Sequence, residues 1–554
     1  MKKYLLPLIL ILFLTFTLIG NCDWLSGWDK RIELSIGDYA GDIGAEVTWF
    51  PVTAFLKSGE QDKCTTSDVN DLIDSAADWS AQTFTPSSNY WIKSVLFDMY
   101  RGVGDAPGTV TVSITNTDID GKPTGGNLTS GTVDGDTLPE SAGTDTTITF
   151  ASPYKVKNGI KYAIIIKVPG ADVDNVVRIR ADSTTPPYAD GSYVYSTDSG
   201  SSWIVYTDWD FYFTCFDINP IFIELTTDVE FGKVAFTKAD GTTELYAECE
   251  QFDVSEELGI YHISRDGWTI NANTSIYMYY DKDHADNTIY IGAINTTAGG
   301  NVWDGNFKAV YHMVDATTST IVDSTSNSHD GTKTTVNNPN QVTGLNSAYA
   351  QEHTGNDASN SDITITDHAD FDAQSDFTIM AVVYCDTFGD AGDTTYECHV
   401  LCKRDATYNS WLFNIRGEEA GADAGKQQWM PQGGTERLST TAISLSTWTQ
   451  IGISFDNTAG NYTFYKNGAA DGDASVDITP PNNGGDVSIG GGEPPNAYVH
   501  DWDGKIGEVR YSDTNRSAAW TKAEHNSLWD SLLTCGSEET KPSVTNVMFI
   551  FGDF

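Results

Sequence analysis

Basic residues are scarce in this chain of 554 residues. It has 32 Lys and Arg against 77 Asp and Glu, a formal net charge of −45. A field of that sign repels nucleic-acid phosphates and anionic lipid, so nucleic acid is excluded as a partner. The acids are spread along the chain and not gathered in a tail, the pattern of a solvated acidic surface. Beyond the first twenty residues no run is long and apolar enough to span a membrane as a helix. Cysteine is limited to eight positions. No second Cys/His pair completes Cys398-His399-Val400-Leu401-Cys402 into a zinc set, and that spacing also suits strand neighbours. The nine histidines are scattered, so His262 and His399 read as packed or surface residues. Also missing are a Gly-x-Ser-x-Gly elbow, a His-Glu-x-x-His helix, a phosphate-binding glycine loop and Gly-x-Gly-x-x-Gly.

What is present is material for sheets. Apolar residues make up 40% and aromatics 12%, and there are 50 glycines among many Thr, Ser, Asn and Asp. That mixture favours strands joined by turns, and the length suggests roughly three or four domains. At the start, Lys2 and Lys3 precede an apolar stretch broken by Pro7, which reads as an export signal over residues 1–22. Cys22 is an alternative lipid-anchor position. Export places the protein outside the cell or on its surface and permits disulfides. Cys64 and Cys215, at the two ends of one candidate domain, are the expected pair.

Alternation of apolar residues marks strands at Ile32, Leu34 and Ile36, and again at 221–225, 234–241, 244–252, 260–264 and 274–280. Between these halves, residues 65–217 form a self-contained run of strands and Gly/Pro/Asp turns, the spacing of a sandwich or jelly roll. The outer halves, 23–60 and 219–297, resemble a domain of unknown function that precedes laminin-G-like domains in secreted prokaryotic proteins. The resemblance rests on residues 28–36, Phe236-Thr237-Lys238-Ala239-Asp240-Gly241 and Ser275-Ile276-Tyr277-Met278-Tyr279-Tyr280-Asp281. The 65–217 run is similar to β-sandwich modules of secreted and surface-anchored proteins. Residues 303–534 resemble a laminin-G-like, concanavalin A-like jelly roll. That resemblance is carried by Tyr311-His312-Met313-Val314-Asp315, by Asp323 to Thr332, by 376–383, 448–455, 465–468 and 487–491, and by Gly504-Lys505-Ile506-Gly507-Glu508-Val509-Arg510. Residues 535–554 remain as a tail with an apolar segment at 547–551. The expected fold class is all-β, with several sandwiches.

The laminin-G-like resemblance implies glycan or protein recognition. A sugar's C–H face packs on an aromatic ring while Asn, Asp or Gln bind its hydroxyls, so Trp411, Trp429 and Trp502 are the candidates, with Asn414 and Gln428 near them in sequence. Trp203 and Trp209 offer the same chemistry in the inserted module. Calcium is the expected cofactor, held by the hard oxygens of Asp315, Asp323, Asn327 and Asp330. In many relatives an Asp precedes the Glu of the closing strand, where Gly507 stands here. Related glycanases carry Glu-x-Asp-x-Glu on a strand. That triplet is missing, so the domain is read as non-catalytic. Asn127, Asn273, Asn295, Asn461 and Asn515 head glycosylation sequons. The expected role is adhesion or glycan recognition by a secreted protein, with a glycan or surface protein as partner. The alternatives are a self-assembling subunit of a fibre, sheath or virion appendage, and a polysaccharide-degrading enzyme.

Overall fold

The structure is a computed structural model that describes residues 24–36, 43–184, 188–271, 273–333, 335, 338–354, 361–373, 375–388, 397–404, 410–475, 479–480, 484–491 and 501–542. The stretch read as an export signal, with Cys22, and the apolar segment 547–551 lie outside the described residues. The fold is all-β and built from three sets of sheets.

The first is an eight-stranded sheet in the order Val52–Lys57, Leu258–Ser264, Glu244–Asp253, Val234–Lys238, Ser275–Tyr280, Lys30–Ile36 and Leu533–Thr540, with Ile291–Ala293 running parallel to Glu244–Asp253. Period-two alternation sorts its side chains. Leu245, Ala247 and Cys249 join Ile32, Leu34, Val52 and Met278 in one apolar core. Glu248 on the same strand is fully buried and belongs to the other parity. The segment read as a tail behaves differently. Leu533–Thr540 is a strand antiparallel to Lys30–Ile36, with Arg31 Nε donating to Glu539 Oε2 at 2.8 Å and Tyr280 Oη donating to Glu538 Oε2 at 2.7 Å. It gives the Lys30–Ile36 strand a partner on its second edge.

The inserted module leaves this sheet after Lys57. Its entry strand Glu60–Cys64 pairs antiparallel with its exit strand Phe213–Asp217, so module and host are joined by a two-stranded stem. A seven-stranded and a six-stranded sheet enclose a core that includes Phe84, Ile92, Phe97, Ile164, Ile166 and Phe213.

Two further eight-stranded sheets form the last sandwich, one around Phe377–Cys385, Trp448–Asp456 and Asp503–Ser512, the other around Glu397–Lys403, Trp411–Arg416 and Lys426–Pro431. Helix Ala518–Leu528 follows the closing strand, its N-terminus capped by Ser517 Oγ accepting from Trp520 N at 3.2 Å. Trp520 and Ala523 of this helix enter the first domain's core, and Ser527 Oγ accepts from Thr53 N at 2.7 Å. Arg516 fixes the same contact: its guanidinium donates to both oxygens of Asp304 at 2.6 and 2.7 Å and lies 4.0 Å from the Trp520 ring.

Candidate functional site

The three tryptophans expected to bind sugar are interior. Trp411 is 1% exposed, Trp429 and Trp502 are 0% exposed, and all three belong to the core of the last sandwich. Trp411 stacks on Trp429 at 5.5 Å and donates from Nε1 to Phe371 O at 2.8 Å. The physical reason is parity. Trp411, Phe413 and Ile415 share the inward face of one strand and turn Asn414 to the other. Asn414 and Gln428 are cross-strand partners, Nδ2 donating to Oε1 at 2.9 Å, and both are buried.

The residues proposed for calcium build a turn. Asp323 Oδ1 accepts from Val310 N and Thr325 N, and Oδ2 accepts from Thr325 Oγ1 and His329 N, at 2.8–3.0 Å. Asp330 Oδ1 accepts from Asp323 N at 2.9 Å. Asn327 donates from Nδ2 to the carbonyls of Phe307 and Lys308. Asp315 stands apart, accepting from Thr317 and Thr318 and paired with buried Lys333 at 3.0 Å. The carboxylates are occupied by backbone N–H groups, Thr hydroxyls and Lys333, as expected of turn residues, and are not among the metal-ligating groups gathered in the described residues. The disulfide expectation is corrected as well. The register sets Cys64 opposite Phe213, one pleat from Cys215, and both are free, buried thiols. Cys64 Sγ donates to Thr66 O.

An open aromatic surface occurs on the inserted module instead. On the outer face of its six-stranded sheet, Trp79 opposes Lys167, and Ala81 opposes Ile165. Ala81 and Ala163 are small, which leaves a floor on which Trp79 and Trp203 rest half-buried, their rings 6.4 Å apart and inclined by 54°. Lys167 Nζ lies 3.9 Å from the Trp79 ring, and burial pushes its pKa down. The groove beside them has a volume of about 570 Å³ and is also lined by Asp118, Asn127, Ser201 and Ser202. Its wall is a tight turn. Asp198 accepts from Ser196 Oγ, Ser202 N and Ser202 Oγ, bonds that hold its carboxyl below the usual range, with the Ser202 hydroxyl contributing most. Gly200 has φ +78, and a Cβ there would come within 2.6 Å of the Trp79 ring. Trp209, the other candidate, packs against Tyr193 at 5.7 Å. Trp79 was missed, although the signal was available: Phe84 points inward, so the alternation turns Thr83, Ala81 and Trp79 outward.

A second concentration of chemistry is sealed between the first sheet and the last sandwich. His312 donates from Nδ1 to Glu508 Oε2 at 2.8 Å and faces Glu248 Oε2 through Nε2 at 3.4 Å. Burial opposes its charge, but Glu508 and Glu250 override it and hold His312 protonated well above the usual range. His262, stacked on it at 4.4 Å, is kept neutral by burial and by the charge of His312, and it pairs with Glu250 Oε2 at 2.8 Å. Arg510 donates to Glu508 at 2.7 Å and to Glu524 at 3.0 Å. Trp303 Nε1 donates to Glu248 at 2.7 Å. Glu250, His262 and His312 bring three metal-ligating atoms together, but Glu250 already pairs with His262, His312 with Glu508, and cationic Arg510 belongs to the same network. Sequence reading treated these histidines singly, and only the docking of two domains assembles them.

Comparison with known proteins adds a family to this geometry. Residues 357–522 match the family model described as the concanavalin A-like lectin/glucanases superfamily. Similar solved structures include the binding domain of Paraclostridial mosquitocidal protein 1, at 17% identity and TM-score 0.31, with 40% of this chain and 52% of that one covered. Another is domain 4 of AbnA, an extracellular arabinanase of Geobacillus stearothermophilus, in complex with arabinotriose (16% identity, TM-score 0.29, 39% and 97% covered). A third is the receptor binding domain of botulinum neurotoxin type G (15%, 0.28, 40% and 51%). This chain therefore spans about half the length of the mosquitocidal and neurotoxin chains. At these TM-scores the likenesses carry no functional argument. No curated protein matches the sequence.

Proposed function

We propose that this is an extracellular, non-catalytic glycan-binding protein, and that the Trp79–Trp203 groove of the inserted module is its principal contact surface. The observation that carries this reading is the groove's composition: two inclined indole faces on a rigid sheet, ringed by an amide, hydroxyls, the ammonium groups of Lys122 and Lys167 and one carboxylate. Indole faces pack on the C–H surfaces of a sugar ring, and the polar rim meets its hydroxyls. The sole carboxylate in that lining, Asp118, accepts from the amides of Asp120 and Lys122 within its own turn. Glycoside hydrolysis needs two carboxyls flanking the bond, so this groove is built to hold and not to cut. The concanavalin A-like sandwich serves in this reading as a second recognition module. The residue 1–22 pattern supports export.

The test is a glycan array followed by calorimetry on the best ligand, with Trp203→Ala and Trp79→Ala beside the unaltered protein. Each variant is expected to weaken binding about 30-fold, the roughly 2 kcal/mol of a buried aromatic anchor, at unchanged melting temperature. Unchanged affinity in both variants removes the groove from the proposal. Release of reducing ends from a polysaccharide panel removes the non-catalytic reading. N-terminal sequencing of secreted material tests export.

A further inference from the structure

We propose that His329, His368 and Asp370 form a surface site for a divalent transition-metal ion of the zinc class. Two turns of the last sandwich create it. His329 lies in the Asp323 turn, where its N–H donates to Asp323 Oδ2 at 2.9 Å and its carbonyl accepts from Tyr311 Oη at 2.5 Å. His368 caps the short 3-10 turn Ala369–Phe371. Buried Lys403 clamps that second turn from beneath, pairing with Asp367 and with Asp372 at 3.0 Å and donating to His368 O at 3.3 Å. Asp370 takes no part in that clamp. Its Oδ2 faces His329 Nε2 at 2.9 Å and His368 Nδ1 at 3.1 Å, and the rings are 4.4 Å apart. All three ligating atoms lie within 4.8 Å of one another.

The contacts of His368 point to a cation. Its Nδ1 accepts from Asp370 N at 3.2 Å and so carries a lone pair, which a metal ion would take over from that long N–H contact. The Asp370 carboxylate at 3.1 Å completes a set of two imidazoles and one anion that a divalent cation fits. An edge of a tetrahedral zinc shell measures about 3.4 Å, close to the separations present. Two imidazole nitrogens and one carboxylate oxygen favour zinc, nickel or copper over calcium, which takes oxygen ligands. Three protein ligands leave a fourth position open to water or to an oxygen of a bound molecule. The side chain of His368 is 52% exposed and that of Asp370 27%, so the ion has direct access.

The experiment uses the full chain without a polyhistidine tag, stripped with chelator and titrated with zinc chloride by calorimetry. Cobalt chloride provides a parallel arm read by visible absorption. One ion per chain is expected, unaffected by excess calcium. His368→Ala and Asp370→Asn should each weaken zinc by more than the roughly 10- to 100-fold that loss of an outer partner costs, with the metal-free melting temperature unchanged. The half-exposed His368 gives a readout even if a His329 variant misfolds. No binding by the unaltered protein, displacement by calcium, or full stoichiometry and affinity in both variants would overturn the site.

Discussion

Replacing Glu250 by Gln is expected to stabilise the protein above neutral pH and to leave it unchanged near pH 4.5. Glu250 is sealed between two domains. Burial, with help from the charge of Glu508 and against His312 and Arg510, raises its carboxyl from the ordinary 4.5 to about 7. Between those values the folded chain holds a proton that the unfolded chain has lost, so stability falls as pH rises. A gap of about 2.5 units at about 1.36 kcal/mol each is worth about 3 kcal/mol. Gln keeps an oxygen for the His262 Nε2–H and cannot ionise, so that loss disappears. At about 2–4 °C per kcal/mol for a unit of this size, Glu250→Gln should melt about 6–12 °C higher than the unaltered protein at pH 8. Glu508 works in the opposite window. Burial raises its pKa, but His312 and Arg510 overcome this and hold it at about 2, so its stabilisation is lost as pH falls below 4.5. The contribution of His312 is complete below pH 6.5 and fades as pH rises through its elevated folded value. His262, held neutral well below 6.5, adds the opposite trend, its contribution complete above pH 6.5 and lost as pH falls, so the cluster's greatest stabilisation lies between about pH 4.5 and about pH 6.5. Calorimetric melting of both proteins from about pH 4 to about pH 9 checks the account. Parallel profiles, or a variant that melts lower at pH 8, would refute it.

Arg516→Lys should cost about 2–4 kcal/mol in urea denaturation, because the fork to Asp304 and the stacking on Trp520 are lost together. Trp411→Ala should cost about 3–5 kcal/mol of stability as a core cavity, with glycan affinity unchanged in whatever fraction folds. Asp323→Ala removes the acceptor of four hydrogen bonds and should destabilise by about 2–4 kcal/mol, equally with calcium and with chelator, as read by thermal melting. Ending the chain at Leu532 strips the partner strand from Lys30–Ile36 and should make that region protease-sensitive, while the last sandwich still melts cooperatively.

The sandwich strands were legible because alternation is local: Phe377–Cys385, Trp448–Asp456 and Asp503–Ser512 stand where apolar residues recur at every second position. The same parity could have sorted the tryptophans. Trp411 is in phase with Phe413 and Ile415 and faces inward, whereas Trp79 is out of phase with Phe84 and faces outward. Chemical type alone nominated rings that are buried. The Asp323 turn was read as a cation cage because carboxylates in a loop look alike in sequence whether they meet an ion or the loop's own amides. His329 within that loop gains significance only when the fold lays the His368 turn beside it. The buried acid–histidine cluster spans Glu248 to Glu524, and no periodicity links partners that distant.

The pairing of Arg31 with Glu539, residues 508 positions apart, has a consequence for biogenesis. The strand Lys30–Ile36 receives its second neighbour only after about five hundred further residues have been synthesised. The inserted module and the concanavalin A-like sandwich each contain their own strand partners and can fold as they emerge. The domain that carries both of them must be the last to close. Until then its open edge is available to any other nascent chain, so the yield of folded protein should depend on how fast this strand arrives.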